Sequence, residues 1–511
     1  MDKTYAVELK NISKYFGTVV ANYKVNMSLD KGEIRALLGE NGSGKTTLMN
    51  MLSGIYFPDE GQIYVNGEPV SIGAPSDAFK YGIGMIHQHF KLVDVFTAAE
   101  NIILGNTKRK FIDIKKVTGE LSSIIEKYGF EIDLKKKTYD MSVSEKQTVE
   151  IIKALYRKSN VLILDEPTAV LTPQETDKLF QILRKMKEDG KTIIIITHKL
   201  HEVLSISDKV TILRKGRYID TVITKNTNEA ELTEMMVGKK IELNIDRPEP
   251  RHVSKKIELK NVSCKDKYGV TVLDKVSFDI NSGEILGIAG IAGSGQKELL
   301  ESIAGLQAIE ADGEIIYYTD DSVPIPIQGK NPMEISKLGV SLAFVPEDRL
   351  GMGLVANMDM SDNMMLRSYR SGKSFFTDRK APAGLAQNIK EELEVVTPGI
   401  STPVRKLSGG NVQKVLVGRE IADNPKVLLT AYAVRGLDIN TSYAIYNLLT
   451  KQKENGCAVV YVGEDLDVLL ALCDRILVIC GGSISGIVDA RTITKEEIGL
   501  MMIQKRKEKK L

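Results

Sequence analysis

The sequence predicts an α/β fold built twice, each copy a mostly parallel sheet wrapped by helices, with the copies joined head to tail. Three observations carry this expectation. First, short runs that are apolar on both faces, such as VLILD (Val161 to Asp165) and TIIIIT (Thr192 to Thr197), alternate with amphipathic helical runs. That is the pattern of central strands in a helix-covered parallel sheet. Second, the chain repeats itself. VELKNIS (Val7 to Ser13) is answered by IELKNVS (Ile257 to Ser263), and DKGEIRALLGENGSGKTTL (Asp30 to Leu48) by NSGEILGIAGIAGSGQKEL (Asn281 to Leu299). DEGQIYVNG (Asp59 to Gly67) is answered by ADGEIIY (Ala311 to Tyr317). Third, Gly39, Gly42 and Gly44 recur as Gly290, Gly293 and Gly295 at one constant offset, each set between an apolar strand and a helix.

Size and composition agree with this. A chain of 511 residues exceeds a single-domain prior of about 150 several-fold. With 43% hydrophobic residues it can bury ordinary cores without a metal or disulfide staple. Sixty-nine Lys and Arg against 67 Asp and Glu leave a net charge of +2, which excludes a general polyanion-binding surface as the main function. The four cysteines (Cys264, Cys457, Cys473, Cys480) form no CxxC pair, which argues against a zinc site or a secreted disulfide framework and for a reducing cytosol. The opening MDKTYAVELK has no apolar signal region, and no run approaches the 18 or so apolar residues that span a bilayer. The expected organisation is a first domain over residues 1–240, a charged, proline-bearing linker over 241–256 and a second domain over 257–511.

In order along the first half, SKYFG follows the first strand. Phe16 there is placed to stack on an adenine ring, with Tyr15 as the alternative; both also suit ordinary core positions. GENGSGKT is a complete P-loop in strand–loop–helix context. The backbone N–H groups of Gly39, Glu40, Asn41, Gly42, Ser43 and Gly44, with Thr46 and Thr47 opening the helix, converge on phosphate oxygens, aided by the helix dipole. Lys45 supplies charge to the outer phosphates, and Thr46 offers a hydroxyl to Mg²⁺. Gln88 ends another strand in IGMIHQHF and suits a metal and water ligand; His87 and His89 beside it read as surface or contact residues. VLILDEP places Asp165 for the second shell of Mg²⁺ and Glu166 for polarising an attacking water. His198, after TIIIIT, suits holding the γ-phosphate and orienting that water.

With these residues in place, the chain resembles the ATP-binding subunit of an ATP-binding cassette (ABC) importer, in the tandem-fused form used for simple sugars and nucleosides. LSGGNVQK (Leu407 to Lys414) is similar to the signature sequence of that superfamily. GIGMIHQHFKLVDVFTAAENIILG (Gly82 to Gly105) and DEPTAVLTPQE (Asp165 to Glu175) look most like its nucleoside branch. The resemblance covers essentially the whole chain. It implies two P-loop NTPase cassettes, each with a central sheet, an antiparallel β part and a helical subdomain. It also implies ATP and Mg²⁺, two integral-membrane permease subunits, an extracytoplasmic solute-binding lipoprotein, and a peripheral position on the cytoplasmic face of the membrane. In this family each ATP lies between one P-loop and the opposite signature. The resemblance therefore joins the first P-loop, Gln88, Asp165, Glu166 and His198 to Ser408, Gly409 and Gly410 of the second half. One departure stands at Thr172, where an Asp is usual.

The second composite site departs throughout. Gln296 stands for the phosphate Lys, Lys297 for the metal hydroxyl, Ala431 for the Asp, Tyr432 for the catalytic Glu, Glu464 for the His and Glu347 for the Gln. The facing signature, MSVSEKQ (Met141 to Gln147), has Ser144 for its second glycine. Losing a positioned general base alone costs roughly 10²–10⁴ in rate, so this site should not turn over. Two segments, the one after Gln88 (Phe90, Leu92, Val93, Phe96) and Gly353 to Leu366 with Met358, resemble the regions that receive the permeases. Rival readings are a simple-sugar importer, a soluble tandem cassette acting on ribosomes or nucleic acid, and a nucleotide sensor without a permease. The short linker and near-neutral charge count against nucleic acid as a partner. The basic tail KRKEKKL reads as a solvated end, with contact to acidic lipid as the alternative.

Overall fold

The computed structural model describes residues 4–17, 19–87, 90–105, 114–169, 171–238, 244–266, 268–291, 293–344, 353–369, 377–407, 409–422, 425–434, 437 and 439–503. The chain divides into two compact units, Met1–Glu242 and Leu243–Leu511. Among the described residues, no helix is long and apolar enough to cross a membrane.

In the first unit a six-stranded sheet runs Arg217–Ile223, Lys209–Arg214, Ile34–Leu38, Thr192–Ile196, Val161–Asp165, Ile83–Ile86. Only the first of these pairs antiparallel; the rest of the ladder is parallel. The three central strands are buried at every position, as their apolar runs require. A four-stranded antiparallel sheet, Val19–Leu29, Val7–Phe16, Glu60–Val65, Glu68–Val70, forms the β part. One core layer lies between the two sheets, gathered around the P-loop helix Lys45–Leu52. A second core lies on the other face of the parallel sheet, under the helices Ala98–Ile103, Ile114–Tyr128, Val143–Tyr156 and Pro173–Glu188.

The second unit repeats this plan. Its six strands run Val340–Phe344, Val427–Ala431, Ala458–Val462, Ile285–Ala289, Arg475–Cys480, Ser483–Asp489, beside an antiparallel sheet of Thr271–Asn281, Lys255–Lys265, Glu314–Tyr318 and Pro324–Pro326. Its P-loop helix is Gln296–Ile303 and its signature helix Gly409–Ile421.

The stretch read as a linker is no free tether over its described part. Arg247 donates to the carbonyls of Leu470 and Cys473, both at 2.8 Å. Lys453, buried and paired with Asp474 at 2.9 Å, donates to the Pro248 carbonyl. Sequence composition shows charge and proline here; the anchoring partners lie about two hundred residues away and only folding brings them in. Thr172 serves as the N-cap of Pro173–Glu188, its hydroxyl accepting from Glu175 N at 3.3 Å in a capping box.

Candidate nucleotide site

The P-loop is formed by the turn between Ile34–Leu38 and Lys45–Leu52. Gly44, the N-cap of that helix, has φ 93°, and a Cβ there would meet Asn22 Nδ2 at 2.6 Å. Asn22, fully buried, donates to the Gly44 carbonyl at 3.2 Å and so fixes the turn from below. Lys45 is only 6% exposed; its ammonium donates to the carbonyls of Gly39 at 2.7 Å and Glu40 at 3.0 Å. Burial pulls its pKa down, opposed by the charges of Glu166, Asp165 and Glu40. The Ser43 hydroxyl is buried without a hydrogen-bond partner. A buried cation held by loop carbonyls, an orphaned hydroxyl and a loop with no room for a Cβ at Gly39 or Gly44 fit an anionic ligand that replaces those bonds.

Two acids face this loop from the end of Val161–Asp165. Asp165 is 8% exposed. Burial pushes its carboxyl up to about 6, and Glu166 adds to the push, while Lys45 and a hydrogen bond with Thr46 oppose it. Glu166 leaves the strand in the left-handed region at φ 48°, and its N–H is fixed by the Ile196 carbonyl at 2.9 Å. That backbone bend turns its side chain to His198, whose Nδ1 lies 3.1 Å from Glu166 Oε1. The hydrogen bond from His198 holds the Glu166 carboxyl below the usual range against the opposing effect of burial. Lys45, Thr46, Asp165, Glu166 and His198 are thus linked by direct contacts or by mutual electrostatic influence. Thr46 and Asp165 together offer the hard oxygen donors that Mg²⁺ takes. Gln88, His89 and Ser408 lie outside the described residues, as do Glu347 and the basic tail. His87 is half-buried.

Phe16 is 43% exposed and so stands clear of the core; Tyr15 is half-buried. Tyr56 braces Phe16 edge-on, with centroids 5.2 Å apart and planes at 71°, and Lys14 sits 5.6 Å from the Phe16 ring. Sequence reading missed both Tyr56 and Asn22. Asn22 did leave a signal, a polar residue on a strand whose other inward positions, Val25, Met27 and Leu29, are apolar; Tyr56 left none.

The second unit keeps the backbone and loses the chemistry. Tyr432 holds the same bend, φ 57°, with its N–H fixed by the Val462 carbonyl at 3.0 Å. Gln296 is buried, and its amide donates to the Ile291 carbonyl at 3.1 Å, one neutral bond where Lys45 makes two charged ones. Lys297 turns outward to Glu301 at 3.6 Å. Leu273 replaces Asn22 beneath the loop, 2.7 Å from where a Gly295 Cβ would sit. The signature helices contrast in the opposite sense. Gly409–Ile421 begins with two glycines, and no acid stands in its first turn. Val143–Tyr156 is closed by a Ser142–Glu145 capping box, and the Glu145 carboxylate in its first turn is paired with Lys136 at 2.8 Å.

The arrangement is that of a P-loop ATPase, with Lys45, Thr46, Asp165, Glu166 and His198 brought together in the first unit. The ABC transporter family model matches residues 23–169 and 273–430, and the chain belongs to the ABC transporter family; it is an ATPase with two cassette domains. A nucleoside import ATP-binding protein of Lactococcus lactis subsp. cremoris is 41% identical over 502 residues, covering 97% of this chain and 98% of its own. A guanosine import ATP-binding protein of Bacillus subtilis is 41% identical over 509 residues, covering 98% of this chain and 97% of its own. A ribose import ATP-binding protein of Corynebacterium glutamicum is 35% identical over 500 residues, covering 97% of this chain and 93% of its own.

Proposed function

We propose that this ATPase energises the import of nucleosides from the cytoplasmic face of the membrane. Two permease subunits and an extracytoplasmic solute-binding lipoprotein would be its partners, and nucleic acid would not be one. Its competent site would pair the first P-loop with Ser408, Gly409 and Gly410 of the second signature. The site pairing the second P-loop with the first signature would not turn over. The observation that carries this is the contact set Lys45–Asp165–Glu166–His198 in the first unit, set against Gln296, Ala431, Tyr432 and Glu464 on a matching backbone in the second.

In this reading Lys45 exchanges the carbonyls of Gly39 and Glu40 for phosphate oxygens, and Ser43 finds its missing partner there. Phe16 stacks on the adenine. Thr46 and Asp165, with Gln88, would hold Mg²⁺, which would neutralise charge on the outer phosphates. Glu166, kept ionised by His198, accepts the hydrogen bond of the attacking water in line with the γ-phosphate, and His198 orients both. Segments 90–105 and 353–366 receive the permeases. Val93 and Val95 are exposed there, whereas Leu92 packs on the core and Phe90, Phe96 and Met358 are half-buried. Met360 and Met364, in the second of these segments, are buried core residues.

Nucleosides are favoured over sugars by the two relatives named for nucleoside or guanosine import, each 41% identical end to end, against 35–38% for those named for glucose, ribose or xylose import. Uptake by the reconstituted transporter, measured with a panel of nucleosides and simple sugars, tests the choice. ATP-driven uptake of sugars alone would overturn it in favour of the simple-sugar reading.

A further inference from the structure

In both units the basic residue four-fifths of the way along the signature helix reaches back to one main-chain carbonyl. Arg419 Nη2 donates to the carbonyl of Gly353 at 2.9 Å. Its counterpart Lys153 donates to the carbonyl of Lys91 at 3.3 Å. Gly353 and Lys91 are themselves counterparts, each two residues before a valine that a fully buried asparagine pins by both its N–H and its C=O. Asn363 binds Val355 N at 2.8 Å and Val355 O at 3.2 Å; Asn101 binds Val93 N at 2.8 Å and Val93 O at 3.0 Å. These two strips of chain are therefore fixed through their backbones, and the carbonyl at the head of each is held by the signature helix.

The acid that supports each cation does not repeat. In the second unit it is Glu420, one residue after Arg419, bonded at 2.7 Å to Nε and nearly inaccessible at 2%. In the first unit it is Glu150, three residues before Lys153 at 3.6 Å, and Glu150 also accepts from Lys91 N at 3.1 Å. The sequence equivalents of those acids are Leu416 and Ala154. Sequence has drifted around the contact while the contact itself persists, which a merely inherited packing residue does not require. A buried ion pair is costly to desolvate and rigid once formed, so Arg419 holds one geometry. Its helix is rigid over the roughly 15 Å from Gly409 to Arg419, and Gln413 locks it midway to the Ala433 carbonyl at 3.3 Å.

We propose that Arg419 is a positioning residue that makes the second signature helix a strut. Movement of the glycine-bearing end on ATP would be delivered to Gly353 and the segment after it. This rests on the importer reading above, which assigns that segment to a permease and that helix to the competent site. Lys153 would do the same for the site that does not turn over.

The test uses the full chain, alone and assembled with its permeases and binding lipoprotein in proteoliposomes, with guanosine as the transported probe. The double variant Arg419→Gln, Glu420→Gln removes the charged grip without stranding an acid, and Arg419→Lys keeps a cation that Lys153 shows can reach. Expected for the double variant are ATP affinity and basal ATPase of the free chain within about twofold of wild type, while guanosine-stimulated ATPase and uptake fall about tenfold. Arg419→Lys should restore most of the loss, and Lys153→Gln should cost less than the double variant. Full stimulation in the double variant would overturn the strut and leave the importer reading intact. Equal loss of basal and stimulated activity, or failure of the double variant and of Arg419→Lys alike to fold, would also overturn it, since the residue would then be only structural. A wild-type assembly with no guanosine-, nucleoside- or sugar-stimulated activity at all would instead overturn the importer reading, and the strut with it.

Discussion

Glu166 and Asp165 are neighbours in sequence with opposite electrostatic fates, and each fate is a prediction. The bend at φ 48° aims Glu166 at His198, which holds it ionised. Glu166→Gln keeps the shape and removes the carboxylate, so turnover should fall by about 10²-fold or more while ATP binding persists; steady-state ATPase beside nucleotide binding checks it. Turnover within threefold of wild type would sink the assignment. Asp165, pushed up to about 6, carries the reverse cost. Its folded pKa lies above its unfolded value, so the folded state binds the extra proton. Stability therefore declines as pH rises from about 4 through about 6 and stays reduced above that. Asp165→Asn should consequently raise the stability of the nucleotide-free protein at pH 8 by about 1–3 kcal/mol, with the gain vanishing near pH 4, while abolishing hydrolysis. Denaturant melts at the two pH values decide; equal gain at both would mean that the carboxylate's desolvation is not the cause.

Among the elements, the second signature helix depends on close approach as much as on its N-terminus. A Cβ at Gly418 would lie 2.6 Å from Ile389 Cγ2 and 3.1 Å from Leu393 Cδ1, both on buried side chains of the helical subdomain. Two effects compete in Gly418→Ala. Helix propensity gains up to about 1 kcal/mol, and overpacking costs about 1–3. Because neither neighbour has free space to yield into, overpacking should win. Thermal unfolding should show the second unit's transition lowered and the first unit's unchanged. A raised transition would show that the subdomain relaxes more easily than its burial implies.

The whole-molecule expectation is asymmetry between the two composite sites. Ser408→Arg or Gly410→Asp should abolish hydrolysis with little change in ATP affinity, because a helix terminus aimed at phosphate gains most once water is excluded. The same changes at Ser142 or Ser144, where Glu145 and its capping box already occupy the helix start, should cost far less. Turnover of both sets at saturating ATP in the assembled transporter decides. Equal loss would give the second site a necessary part in closure, and loss confined to the Ser144 set would reverse the assignment of the competent site.

Motif spacing and repetition by themselves determined the doubled α/β plan, the P-loop, the strand-end acids and which copy had lost them. A P-loop is a local object, whose glycines, strand and helix are all adjacent in sequence. Its neighbours are not. The Asn22 bond beneath Gly44, the Tyr56 brace on Phe16, the anchoring of Arg247 to Cys473 and of Pro248 to Lys453, and the Arg419 grip on Gly353 join residues from 22 to 226 positions apart. The left-handed bend shared by Glu166 and Tyr432 was equally hidden, because two such different side chains share no sequence signal for a conformation that the adjoining strand imposes through one carbonyl. Only the tertiary structure decided these, because a buried polar group takes whichever partner folding brings within about 3 Å, and sequence separation does not enter that choice.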